Sequence, residues 1–95
     1  MVESTESLAA LQHTEDPQAI LDVLFAGWTE DYGQGRRLLL RRLQDYRTSL
    51  DSAALSRTAG VVYRTLVSLG EDFGEMRWVH LAVECRDALV YGYAY

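Results

Sequence analysis

Apolar residues recur along this chain at three- and four-residue steps, the period of a helix with one buried face. Ile20, Leu21, Leu24, Phe25 and Trp28 form one such stripe. Leu39, Leu43 and Tyr46, with Leu40 beside them, form a second, and Leu55, Ala59, Val62, Leu66 and Leu69 a third. The fourth passes through Phe73, Met76, Val79, His80, Val83 and Leu89 as an inner side. Trp78, Leu81, Ala82 and Ala88 widen it, so this last helix should touch more than one neighbour. The apolar-polar alternation of half-buried strands is scarce before the last few residues. The pattern predicts an all-α fold: four main helices arranged as two antiparallel helical hairpins, with a short N-terminal helix or arm.

Local signals place the joints. A short helix through Ser7-Leu8-Ala9-Ala10-Leu11 is stopped by polar His13-Thr14-Glu15. Asp16-Pro17 starts the next, because aspartate accepts from free backbone N–H groups and proline at the first helical position loses no hydrogen bond. Gly33 and Gly35 then make a flexible joint, and a second helix is expected from about Gly35 to Thr48. Ser49 and Asp51 are candidate caps for a third, which Gly70 is expected to end in the left-handed conformation. A single domain over 1–95 follows, with an arm at 1–15, one hairpin at 17–48 and another at 51–93.

Two segments nearly repeat each other 41 residues apart: Glu30-Asp31-Tyr32-Gly33-Gln34-Gly35-Arg36 and Glu71-Asp72-Phe73-Gly74-Glu75-Met76-Arg77. Glu-Asp-aromatic-Gly suits a hairpin hinge, since carboxylates favour a helix N-terminus and glycine completes the bend. The second unit, Leu55 to Ala88, resembles a tetratricopeptide repeat. Ala59-Gly60-Val61-Val62-Tyr63 looks like the first-helix signature of that family, and Leu69-Gly70-Glu71-Asp72-Phe73 like its inter-helix turn. The resemblance implies antiparallel helix pairs and protein or peptide binding. The 41-residue spacing against the family's 34, and Met76 and His80 at its expected alanine and aromatic positions, are departures from that pattern.

Composition narrows the classes. With 48% hydrophobic and 24% charged residues, the 95-residue chain has the balance of a folded globular domain. No apolar run approaches the ~20 residues of a spanning helix, and acidic Glu3 and Glu6 stand where a secretory signal carries positive charge. A soluble cytoplasmic protein is expected, with no membrane partner. The only cysteine, Cys85, falls within an apolar helix and reads as a packed thiol. A net charge of −5 disfavours a general nucleic-acid binder. All nine basic residues are arginine, lysine and asparagine are absent, and isoleucine occurs once, a codon bias of GC-rich bacterial genomes.

Three constellations could carry chemistry. Five arginines fall between Arg36 and Arg47, and Arg36, Arg37, Arg41 and Arg42 could meet an acidic partner or phosphates; the bland reading is a solvated face paired with neighbouring carboxylates. Tyr91, Tyr93 and Tyr95 crowd the C-terminus, where they either close the domain's own core or, with Trp78, contact a partner. His80 and Glu84 lie one helical turn apart, but two ligands do not make a metal site. No nucleophile elbow or phosphate loop occurs. These residues point to a non-enzymatic protein-protein interaction module with no cofactor, of the adaptor, inhibitor, immunity-protein or complex-subunit kind. Its partner would be another protein or itself as a homodimer. The alternative is a small dimeric transcription or nucleic-acid regulator that uses the arginine-rich helix.

Overall fold

The computed structural model describes residues 9–93, all helix, turn or irregular chain with no strand among them. Helix α1 occupies 9–13 of the described residues, α2 Pro17–Leu24, α3 Tyr32–Arg47, α4 Ser52–Phe73 and α5 Met76–Tyr91. The all-α expectation is met, with the N-terminal arm contributing a fifth helix. Ser7, Leu8 and Tyr95, named above, lie outside the described residues.

Aspartates start three of the helices. Asp16 accepts from the Gln18 N–H at 3.1 Å, Asp31 from Gln34 at 3.2 Å and Asp51 from Ala54 at 2.9 Å, each relieving a backbone donor that the first turn leaves unpaired. The ends differ from expectation. The chain leaves α2 at Leu24 and turns through Gly27, whose φ of 79° suits glycine, so Trp28 stands beyond the helix and not on its stripe. The Asp31 cap starts α3 at Tyr32, ahead of Gly35.

Gly70 does not end α4. The helix continues to Phe73, and Gly74, with φ 65°, is the left-handed cap. Gly70 instead serves a close crossing: a Cβ there would lie 2.7 Å from Cγ2 of Val79 and 3.2 Å from the Glu75 carbonyl oxygen. The near-repeated segments thus take different places, Asp31-Tyr32 opening α3 and Asp72-Phe73 closing α4.

Gly74-Glu75 folds α4 and α5 into the tightest helix pair. On its other flank α5 packs against α3, while the short α2 leans on α4 and touches α3 lightly. Each of the four longer helices therefore meets two others. Ile20 and Leu24 of α2, Leu39 and Leu43 of α3, Val62 and Leu66 of α4, and Leu81, Cys85 and Leu89 of α5 fill the space between them. Leu11 adds α1 to this core with no exposed surface. Phe73, Met76 and His80, expected on the inner side of the last helix, are exposed instead. Leu81, Ala82, Cys85, Ala88 and Leu89 form the buried face of α5, nearly half a turn away from Met76 and His80.

Candidate protein-interaction site

The arginines divide into those committed to the fold and those facing out. Arg36 grips Glu84 of α5 with two bonds, Nε to Oε1 at 3.0 Å and Nη2 to Oε2 at 2.5 Å. These side chains are only 29% and 21% exposed. Hydrogen bonding to Glu84 raises the pKa of Arg36, and burial, then the Glu84 charge, raises that of the neighbouring Tyr32 hydroxyl. Arg42 donates to the carbonyl of Leu24 at the end of α2. Arg47 donates to the Leu89 and Val90 carbonyls near the end of α5, and Arg57 to those of Gln12 and Thr14 at the end of α1. Cations at three helix C-termini thus satisfy carbonyls that lack intrahelical partners. Arg37 and Arg41, one turn apart on α3, remain exposed.

Trp78 belongs to an internal aromatic clamp. Its ring centroid lies 6.0 Å from that of Trp28 and 5.2 Å, edge-on, from that of Tyr32, and Phe25 stands 5.4 Å from Trp28. The guanidinium of Arg77 covers Tyr32 at 4.8 Å, and the Tyr32 hydroxyl donates to the Arg77 carbonyl at 3.0 Å. Trp28 also seats directly on Gly35. These rings tie the α2–α3 connection to the start of α5; Trp78 is half-buried and is not presented as a docking ring.

The outward apolar groups lie elsewhere. Phe73 is 67% exposed, Met76 64%, Val90 41%, Tyr91 65% and Tyr93 57%. The rings of Tyr91 and Tyr93 pack at a tilt of 41° with centroids 6.1 Å apart, and the Gln44 amide donates to the Tyr93 carbonyl, so the tail's backbone is tethered while its rings are largely exposed. His80 is exposed, whereas Glu84 is occupied by Arg36. No three His, Cys, Asp or Glu side chains converge among the described residues. Burial, then the Glu84 charge, pushes the Cys85 thiol up to about 12, well away from nucleophilic chemistry.

Gln18, Leu21, Asp22, Phe25, Thr65 and Leu69 line an open groove of about 320 Å³ between α2 and α4. Sequence reasoning missed it, because it exists only where α2 leans on α4. The helix-end arginines were missed for the same reason: their acceptor carbonyls belong to other helices. Among the described residues no helix is long and apolar enough to cross a membrane. The chain matches no protein-family model, no curated protein and no solved structure.

Proposed function

We propose that this chain is a non-enzymatic protein-protein interaction module, a bacterial cytoplasmic adaptor, inhibitor, immunity protein or complex subunit, that docks through the outer side of α5 and its tyrosine end. The exposure of Phe73, Met76, Val90, Tyr91 and Tyr93 carries this reading. Methionine and aromatic side chains are the types enriched in interfaces, where they offer contact area at low entropy cost. The arginine cluster is the weaker candidate, since Arg36 and Arg42 already serve Glu84 and Leu24.

Tyrosine-directed covalent footprinting tests the proposal. Tyr91 and Tyr93 should label several-fold less in extract of the native cell than in the dilute purified chain, with Tyr63 as the internal reference. Equal labelling in both would sink the reading. The alternative, a nucleic-acid regulator, draws on Arg37 and Arg41, the outward pair on α3. It requires binding to a DNA duplex that weakens log-linearly with salt, and loss of that binding on replacing both arginines with serine.

A further inference from the structure

We propose that the partner seated on the outer side of α5 is a second copy of this chain, packed antiparallel about a two-fold axis through Val83. The inference rests on the interaction reading above and adds to it a partner and a geometry.

Met76, Val83 and Val90 stand seven residues apart on α5. Successive members are displaced by only ~20° around the helix, so they form a single stripe. That stripe faces away from Leu81, Cys85 and Ala88, which fill the core. The stripe is also symmetric about its centre. Met76 and Val90 each stand seven residues from Val83, while Phe73 at the end of α4 and Tyr93 past the Gly92 cap lie beyond the two ends of α5. A two-fold axis perpendicular to α5 at Val83 therefore sets each Met76 against the partner's Val90 and brings the Phe73 end of one copy to the tyrosine end of the other. One surface becomes its own complement, as an isologous interface requires.

Charge favours the same direction. A parallel pair would align the two helix dipoles, whereas an antiparallel pair sets their opposite ends side by side. Area is sufficient as well. At 41–67% exposure, the five large side chains offer about 500 Å² per copy. Two copies reach the ~1,000 Å² at which specific interfaces begin, before the polar rim is counted.

Single cysteines in the full chain test the geometry. Native Cys85 can remain, being 1% exposed with its thiol pushed up to about 12. Only a residue on the axis meets its own copy, so Val83→Cys should give an interchain disulfide, or a link through a short bis-maleimide, in most of the protein. Met76→Cys or Val90→Cys alone should link poorly, because the two positions are ~21 Å apart along the helix. An equimolar mixture of those two variants should give the mixed product. Val83→Glu, still helical by circular dichroism, should raise the dimer dissociation constant at least ~100-fold, because two carboxylates meet at the axis.

Linking of Met76→Cys to itself would replace the antiparallel arrangement with a parallel one. A dimer whose Val83→Cys form does not link would move the interface to another face. A purified chain that stays monomeric at concentrations on the order of 1 mM would remove the second copy as partner. Each of these overturns the inference, yet in each the footprint of Tyr91 and Tyr93 in extract would still report separately on the interaction reading.

Discussion

Gly35→Ala is a perturbation whose sign depends on one contact. In the interior of a helix alanine is favoured over glycine by ~0.5–1 kcal/mol, so propensity alone predicts a gain. The structure opposes it. A Cβ at position 35 would lie 2.6 Å from Cε2 of Trp28 and 2.7 Å from Cδ2 and Cζ2. Carbon atoms settle at ~3.5–4.0 Å, so the indole must retreat by about 1 Å. It is a rigid ring in contact with Phe25, Tyr32 and Trp78, with centroids 5.4, 6.4 and 6.0 Å away. Overpacking of this kind costs ~1–3 kcal/mol, which exceeds the propensity gain and leaves a net loss of about 1–2 kcal/mol. For a chain of this size the loss lowers Tm by roughly 4–15 °C. Gly60→Ala is the matched control in α4. Its Cβ would meet Nη1 of Arg64 at 3.1 Å, the mobile tip of a long side chain that can swing away, so stability should rise by up to ~1 kcal/mol. Circular dichroism melts and urea titrations of both variants give the comparison. A Gly35→Ala protein stabilised as much as Gly60→Ala would refute the seating of Trp28 on Gly35.

Other positions give equally definite expectations. Replacing Arg36 or Glu84 with glutamine should cost about 1 kcal/mol, and a double-mutant cycle should return most of that as coupling between the two, because the ion pair is bidentate and only part-exposed; a coupling near zero would mean that it contributes only packing. The Asp51 carboxyl is held below its ordinary value, first by the Ala54 N–H and also by Gln12. Its contribution is complete above the unfolded-state value near 4 and is lost as pH falls through the lower folded-state value. Asp51→Asn, which still caps, should therefore lose less stability than the native chain between about pH 5 and pH 3; parallel profiles would count against this. The Thr58 hydroxyl is buried without a hydrogen-bond partner among the described residues. Thr58→Val should raise stability by about 1 kcal/mol in urea unfolding, and a loss would reveal a bond made by that hydroxyl.

The helical period and the aspartate caps were legible because both are local: Asp16-Pro17 and Asp51 mark helix starts through bonds to residues two or three positions on. Gly70 was misread because a glycine beside Glu71-Asp72 looks like a turn, whereas its missing side chain makes room for Val79 of the next helix. The same holds for Phe73, Met76 and His80. A helix apolar on two sides does not declare which side is buried, and that choice fell to α3 and α4 as they packed on Leu81 and Cys85. The arginine cluster was legible as a cluster but not as a set of clasps, since Glu84 and the carbonyls of Leu24 and Leu89 lie far along the chain. Tyr91 and Tyr93 gave two readings from sequence, and their exposure is what makes the outward one worth testing.

The proposed cover for the outer side of α5 is a second copy of the chain. The most direct test is the molar mass of the full-length chain in solution, measured by light scattering across a concentration series, alongside Val83→Glu at the same concentrations. The native mass should rise to twice that of the chain, little changed by salt, and the variant should stay at the single-chain mass with its helical content intact. A native chain that remains at the single-chain mass throughout, or a Val83→Glu protein that dimerises as well as the native one, would contradict this arrangement.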